Sequence, residues 1–341
     1  MGKQKEEVHV SPASEALQRS LQRALRNQKR ARKRLKTGPV HDFRVALRRS
    51  RTLAEGLSAI DPDPVWRRLR KTAKRLQGGM SDLRDTQVLE SWLKPLRFTT
   101  GPVAKALHSY LKKQKRTAKR GARKIIKSFP RKRWKRWLRQ LPEKAELIPA
   151  SERRVAQLVL EQLTHVIDLH NGWTKEPNAQ SWHKLRVAVK RFRYMVESFL
   201  PQKSGAWGAE LERAQDLLGE GHDLDVLHGL VVKISRKKAL PKGSVGQYLR
   251  RIDSEARKRR EEYIAHVSER PHRSGQEAAI AEANTNRDML WNRWRAQLEA
   301  MAEVNRRGAE APAKSEPRLG LRAAARANRY PYRQRRISSA P

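Results

Sequence analysis

The sequence predicts an all-α protein made of two tandem four-helix bundles, which an internal duplication relates by a pseudo-twofold axis. Apolar residues recur at a helical period through most of the 341 residues, and no alternating strand pattern with hairpin turns stands out. Segments that contain Gly and Pro divide these stretches into two groups of four. Two short motifs of the first group return in the same order in the second, which indicates duplication.

The first bundle is predicted over residues 12–130, and its helices are expected near 13–36, 41–59, 64–94 and 103–128. The breaks between these helices read "TGP", "DPDP" and "TTGP". Glycine tolerates the left-handed conformation that ends a helix, and proline lacks the amide donor that continues one. Residues 131–150, which are rich in cations, are predicted to be a basic linker.

The second bundle is predicted over residues 151–270, with helices near 151–171, 177–200, 206–235 and 244–268. Residues 271–341 are predicted to be a C-terminal extension. It contains one helix near 284–303, whose Trp291 and Trp294 could dock on a bundle. The rest is a basic tail rich in Arg, Ala, Pro and Ser, and we expect it to be disordered because it has little to bury.

The charge of the chain restricts its partners. The sequence has 77 Lys and Arg against 35 Asp and Glu, a formal net charge of +42. Positive charges in this excess repel one another and destabilise the folded chain, and a polyanionic partner would offset that repulsion. The predicted partners are nucleic acid, an anionic membrane or a phosphate polymer. The absence of cysteine excludes disulfides, thiolate metal sites and a cysteine nucleophile. The sequence shows neither an apolar run of about 18 residues nor the apolar core of a signal peptide, so we expect a cytoplasmic protein.

The clearest repeat is a histidine followed by a row of cations. The segment "HDFRVALRRSR" at 41–51 returns as "HKLRVAVKRFR" at 183–193. On a helical wheel the apolar residues fall on one arc and the cations on a separate, narrow arc. The two cationic stripes are His41, Arg44, Arg48 and Arg51, and His183, Arg186, Lys190 and Arg193. Glu55 and Glu197 lie four residues after the last arginine of each stripe, which predicts one ion pair in each copy.

Three further helices of the first bundle carry cationic arcs of the same kind. The arcs consist of Arg19, Arg23, Arg26, Arg30 and Lys33, of Arg67, Arg70, Lys71 and Lys74, and of Lys105, His108, Lys112, Arg116, Lys119 and Arg123. A charged helix face is usually just solvated, but such faces normally mix both signs because neighbouring like charges destabilise a helix. Four almost wholly cationic arcs predict a continuous surface that holds an anion, mainly on the first bundle and the His183 helix.

A second repeat follows each histidine segment. The segment "RDTQVL" at 84–89 returns as "HDLDVL" at 222–227, which places Asp85 and Asp223 at matched positions. These aspartates are expected either to orient basic side chains or to form ordinary interhelix ion pairs. His41 and His183 also have two interpretations, as proton-dependent cations beside phosphate or as helix residues packed near a neighbouring helix.

With these motifs the chain resembles the CHAD domain, the conserved-histidine α-helical domain, over roughly residues 13–268. The resemblance implies two four-helix bundles whose basic faces meet in a central groove, binding of inorganic polyphosphate, and association with polyphosphate granules. It places both histidine stripes on the polyphosphate surface. The copies differ, since Lys184 stands where the first has Asp42 and His222 where the first has Arg84. The two halves are therefore not expected to bind equally.

Two other functions stay as alternatives. Nucleic-acid binding is suggested by "RKRWKRW", in which Trp134 and Trp137 alternate with cations, and by the basic linker and tail, which could contact DNA or RNA. A phosphohydrolase is suggested more weakly by the His-Asp pairs at 41–42 and 222–223. Metal catalysis needs several converging ligands, and the sequence shows no P-loop, GxSxG or paired-carboxylate pattern. We therefore expect a binding protein without catalysis, metal or cofactor.

Overall fold

The computed structural model describes residues 11–35, 37–148, 152–268 and 289–308. These ranges form helices joined by short turns and contain no strand, which confirms the all-α class. The helices are α1 (Pro12–Lys33), α2 (Thr37–Ile60), α3 (Pro64–Gly78), α4 (Ser81–Leu93), α5 (Gly101–Lys127), α6 (Arg131–Glu146), α7 (Glu152–Lys175), α8 (Ala179–Phe199), α9 (Pro201–Lys237), α10 (Lys242–Ser268) and α11 (Leu290–Gly308). Among these residues, no helix is long and apolar enough to cross a membrane.

Short polar residues fix the starts of three helices. The hydroxyl of Ser11 accepts from the amide of Ser14 before α1, and the carboxylate of Asp63 accepts from the amide of Val65 before α3. Asn178 forms a reciprocal capping box with Ser181 at the start of α8. These side chains satisfy amides that have no partner inside the helix, so each start is specified locally.

The third predicted helix, 64–94, is in fact two helices. It breaks at Gly79 and Met80, between α3 and α4. A Cβ at Gly79 would lie 2.4 Å from Cγ1 of Ile125 on α5, so the close approach of α5 requires glycine here. The corresponding part of the second half stays continuous as α9, which has 37 residues.

Residues 131–146 form helix α6, so the prediction of a linker over 131–150 was wrong for this part. Trp134, Trp137, Leu141 and Ala145 recur at helical spacing and are all buried. The guanidinium of Arg131 donates to the carbonyl of Leu25 and to Oε1 of Gln28, each at 3.2 Å, and so ties α6 to α1. The high density of cations hid an ordinary amphipathic helix.

The apolar core consists of two clusters, and both draw on both halves of the chain. The larger cluster joins α1, α2, α3, α6, α7, α8 and α11 to parts of α4, α5, α9 and α10. The smaller cluster joins the second half of α4 and the first half of α5 to the second half of α9 and the first half of α10. The division into bundles at 12–130 and 151–270 stays a prediction of the duplication, since the apolar clusters do not follow it.

Helix α11 starts six residues later than the predicted helix near 284–303. Its Trp291 and Trp294 are buried, and the ring of Trp294 stacks on Trp207 of α9 at a centroid distance of 5.1 Å. The helix is therefore part of the larger cluster. Most of the predicted extension, including the basic tail, lies outside the described residues.

Candidate anion-binding site

Three helices, α2, α4 and α8, bring cations from both halves of the chain to one place. Arg48 of α2 lies close enough to Arg186 and Lys190 of α8 for its positive charge to lower the pKa of both. Arg84 of α4 acts in the same way on His41 of α2. Asp223 of α9 lies among them. We call Arg44, Arg48, Arg84, Arg186 and Lys190 the central cations. Four of these five residues belong to the two predicted stripes, and Arg84 is the addition.

Arg44 and Arg48 are held by direct hydrogen bonds. Arg44 is 8% exposed, and its Nη1 donates to the carbonyl of Gln77 at 2.8 Å and to the hydroxyl of Ser81 at 3.2 Å. It thereby fixes the turn that joins α3 to α4, the helix that carries Arg84. Burial and the charge of Arg48 lower the pKa of Arg44 to about 10. Arg48 in turn donates to the hydroxyl of Tyr194 on α8, at 3.0 Å.

The other three central cations have no direct partner in the described part of the chain. Within the described residues, Arg84, Arg186 and Lys190 form no hydrogen bond and no ion pair. Nε of Arg186 is buried without an acceptor. Burial, together with the charges of Arg48 and Arg186, lowers the pKa of Lys190 well below its ordinary value. Cations that are partly removed from water and left unpaired cost free energy, which an anion between them would recover.

Two carboxylates lie among these cations without touching them. Asp223 is the acid that acts most strongly on Arg84 and on Arg186, whereas Asp85 acts on Arg44 and Arg186. Neither aspartate is within ion-pair distance of a described cation. Burial outweighs the attraction of the cations and raises the pKa of Asp223 to about 6. Asp85 is an exposed residue, and partial desolvation of its carboxyl raises its pKa as well.

Of the three histidines near the central cations, His41 and His183 are exposed and His222 is half-buried. Partial burial and nearby arginines lower the pKa of His41 and of His183. Nδ1 of His183 is 3.3 Å from Nε2 of His222, whose pKa falls to about 3 because of burial and the charge of Arg186. The rings are therefore neutral near pH 7 in the free protein. They do not supply the predicted proton-dependent cations unless a bound anion raises their pKa.

The last arginine of each stripe lies beside acids. Nε of Arg193 is 2.8 Å from Glu197, which confirms the predicted pair, and Nη2 is 3.2 Å from Glu212. The predicted ion pair of Arg51 with Glu55 was wrong, although the charge of Glu55 opposes the burial that lowers the pKa of Arg51. The oxygen of Glu55 lies instead 3.4 Å from Arg191 and 3.5 Å from Arg70. Both stripes therefore end in partly neutralised cations, and the uncompensated charge is concentrated around the central cations.

The outer cationic arcs lie on exposed faces of α1, α3 and α5. They comprise Arg19, Arg23, Arg26, Arg30, Lys33, Arg67, Lys71, Lys74, Lys112, Arg116, Lys119 and Arg123. Arg19 pairs with Glu15 at 2.7 Å, and Arg30 lies 3.6 Å from Asp42. No contact in the described part of the chain joins these arcs to the central cations. A continuous cationic surface thus stays a prediction.

Arg84 and Tyr194 belong to the site, although the sequence did not single them out as binding residues. Arg84 opens the repeated segment "RDTQVL", so its position in a duplicated motif was a signal that could have found it. Tyr194 had no such signal. It becomes visible only when the packing of α2 on α8 places its hydroxyl beside Arg48.

A model of the CHAD domain family matches residues 15–232, which is more than half of the chain. The chain belongs to the CHAD family. It is similar to the crystal structure of the CHAD domain from the plant Ricinus communis, with 21% identity and a TM-score of 0.58, over 78% of this chain and 96% of that chain. It is also similar to PptA from Streptomyces chartreusis, with 16% identity and a TM-score of 0.57, over 75% and 95% of the two chains. At these identities the structural likeness shows the CHAD fold alone. None of the curated proteins matches this chain.

Proposed function

We propose that this CHAD protein binds inorganic polyphosphate at the central cations, without catalysing a reaction on it. The observation that carries the proposal is the group of three cations, Arg84, Arg186 and Lys190, which converge from both halves and lack a direct partner among the described residues. A structure keeps mutually repelling, half-buried cations at a cost in stability, and an anion that bridges them removes that cost.

The chemistry of the site suits a chain of phosphates. Polyphosphate offers repeated charge and no base edges, so recognition rests on contacts to phosphate oxygens and on the release of counterions. Arginine holds phosphate oxygens in pairs, and lysine adds a point charge. The exposed arcs on α1, α3 and α5 would extend the contact for a long polymer. Binding of this kind would bring the protein to polyphosphate granules in the cytoplasm.

The two tryptophans that suggested nucleic-acid binding are not available for contact with bases. Trp134 is fully buried and Trp137 is 6% exposed, and both pack in the larger apolar cluster. They cannot stack on unpaired bases, which was the feature that favoured this function. What is left for DNA or RNA is contact between cations and the phosphate backbone.

The residues behind the phosphohydrolase hypothesis point in different directions. Asp42 lies 3.6 Å from Arg30 of α1, whereas His41 lies near Arg84. His222 faces His183, and Asp223 faces Arg84 and Arg186. The charge of Asp42 acts to raise the pKa of His41, but no hydrogen bond or ion pair joins the two members of either His-Asp pair in the described part of the chain, which supports binding without catalysis.

Competition binding tests the proposal. Labelled long-chain polyphosphate is bound to the full chain at near-physiological salt, and unlabelled polyphosphate, duplex DNA and RNA are then titrated at equal phosphate concentration. We expect efficient displacement by polyphosphate only. Equal displacement by DNA or RNA would show a general polyanion binder.

A variant then locates the site. Arg84→Gln with Arg186→Gln should weaken polyphosphate binding by about 2 kcal/mol or more, since charge-assisted hydrogen bonds contribute roughly 1.5–3 kcal/mol each. The matched control, Arg236→Gln with Arg257→Gln, removes the same charge from exposed positions of α9 and α10. An equal loss in the control would mean that net charge, and not the site, determines affinity.

A further inference from the structure

Two clefts beside the contact between α2 and α8 are equivalent in the duplication. The first cleft lies between α1, α2 and α8, and the second cleft lies between α7, α8 and α2. Each residue that lines the first cleft has a counterpart in the second, 142 positions away, which is also the separation of His41 from His183. The first cleft therefore serves as an internal reference for the second.

Helices α2 and α8 contribute one ion pair to each cleft. In the first cleft Nη2 of Arg49 lies 2.9 Å from Glu197, and in the second Nη2 of Arg191 lies 3.4 Å from Glu55. These two pairs are counterparts of each other. The side chain of Arg191 is 46% exposed and forms no hydrogen bond with a described residue. Its N–H groups are therefore available to a bound molecule.

The helix that completes each cleft gives the two clefts different charge. Arg19 and Arg23 of α1 correspond to Glu161 and His165 of α7. Glu161 forms no ion pair with a described residue, whereas the other acid of the second cleft, Glu55, is already paired. The second cleft thus places an open carboxylate and an accessible guanidinium around one space.

The second cleft is also large enough for a small molecule. Its volume is about 410 Å³, as in ordinary ligand pockets, whereas the first cleft has about 50 Å³, the volume of roughly one or two water molecules. Gln162, the counterpart of Ser20, lines the second cleft and is 6% exposed, and its Nε2 is buried without an acceptor. Such a donor costs free energy, which an oxygen of a bound molecule would recover. Ala59, Leu158 and Met195 form an apolar wall.

We propose that the second cleft binds a small zwitterion of the amino-acid class, with an ammonium group, a carboxylate and an aliphatic side chain. The ammonium group pairs with Glu161. The carboxylate accepts from Arg191 and takes the hydrogen bond that Nε2 of Gln162 lacks, and the aliphatic part lies on the apolar wall. This site is separate from the central cations, and it does not depend on the proposed function.

Ions of a single sign fit the second cleft less well. An anion would meet the open carboxylate of Glu161, and like charges at short range repel each other. A cation would meet Arg191 and leave the donor of Gln162 without an acceptor. A molecule with both charges satisfies all three groups. Polyphosphate carries negative charge alone, so we do not expect it to occupy this cleft.

Calorimetric titration of the full chain tests the site, with leucine as the probe at millimolar concentration and without polyphosphate. Two analogues each lack one charged group, since isocaproate has no amine and isoamylamine has no carboxylate. We expect saturable binding of leucine, and binding of each analogue weaker by about tenfold or more because one charge contact is lost. The NMR signal of the His165 imidazole, identified by its loss in His165→Gln, should shift when leucine is added.

Variants then locate the site. Glu161→Arg gives the second cleft the charge that α1 gives the first, and should weaken leucine binding on the order of tenfold or more. The matched control, Glu261→Arg, makes the same change at an exposed position of α10 and should bind as wild type does. Gln162→Leu should also weaken binding, without a lower free energy of unfolding in urea, because it removes the unpaired buried donor.

Failure of leucine to bind at millimolar concentration would overturn the inference. Equal binding of leucine and either analogue would overturn it too, because one of the two charged contacts would then contribute nothing. An equal loss of binding in Glu161→Arg and Glu261→Arg would assign the effect to net charge and remove the cleft as its cause. None of these outcomes bears on the binding of polyphosphate at the central cations.

Discussion

The indole of Trp182 packs directly on Gly221, where α8 crosses α9. A Cβ at Gly221 would lie 2.8 Å from Nε1 of Trp182, and this nitrogen donates to the carbonyl of Leu218 at 3.1 Å. His183 follows the tryptophan, and His222 follows the glycine. The contact therefore sets the distance between the two histidines and between the α8 cations and Asp223.

Replacement of Gly221 by alanine should force α8 and α9 apart. Overpacking of a buried contact costs about 1–3 kcal/mol, and the weakened indole hydrogen bond adds to this loss. We expect a lower free energy of unfolding in urea, together with weaker polyphosphate binding because the site is displaced.

Gly229→Ala is the matched control, since it lies in the same helix and its Cβ would meet no atom within 4 Å. Alanine there should raise the free energy of unfolding by up to about 1 kcal/mol through helix propensity. If both variants change stability by the same amount, the contact between Trp182 and Gly221 is not the cause.

Lys190→Met should increase stability while it weakens binding. Lys190 is enclosed near Arg48 and Arg186 and has no direct partner among the described residues. Methionine keeps a similar length and removes the desolvated charge, so we expect a gain of about 1 kcal/mol or more in the free energy of unfolding. Polyphosphate affinity should fall on the order of tenfold, because one close charge contact is lost.

The control for this variant is Lys184→Met, an exposed lysine of the same helix. It should leave both quantities nearly unchanged, since isolated surface substitutions rarely exceed about 0.5 kcal/mol. A Lys190→Met protein that is less stable than wild type would show that the lysine is compensated in the free structure.

Trp137→Ala tests whether α6 is a structural helix or a nucleic-acid contact. Loss of a buried Trp side chain costs about 3–5 kcal/mol, so we expect a large drop in unfolding free energy. Affinity for single-stranded DNA, measured while the variant is still folded, should not change. A selective loss of DNA binding at unchanged stability would restore the stacking hypothesis.

The stripes could be predicted because both copies keep the same helical spacing. The ion pair between Arg193 and Glu197 was also predictable, since its partners are four residues apart in one helix. The second contact of Arg193, with Glu212 of α9, depends on how two helices pack, and local spacing carries no information about it.

The errors have a common physical origin. The cations that dominate the composition of helix α6 indicate a linker, although its Trp residues mark a buried face. The sequence does not predict the break at Gly79, because glycine is tolerated inside helices and only the neighbouring Ile125 makes a Cβ impossible there. Tertiary contacts therefore determine both the burial of α6 and the break between α3 and α4.

His170 should make the stability of the folded protein rise with pH. Its ring is 2% exposed and lies 3.1 Å from the hydroxyl of Tyr263, and burial lowers its pKa to about 4. Between pH 4 and about 6.5 the unfolded chain binds a proton that the folded protein excludes, so this contribution to stability rises with pH by up to about 3 kcal/mol.

Urea unfolding of the ligand-free chain across this range measures the effect. His170→Gln keeps a hydrogen-bonding group near Tyr263 but cannot titrate, so its free energy of unfolding should rise less steeply with pH than that of wild type. His165→Gln, at an exposed position of the same helix, should keep the wild-type dependence. An unchanged slope in His170→Gln would mean that the other histidines, with the strongly shifted His222 first among them, carry the pH dependence.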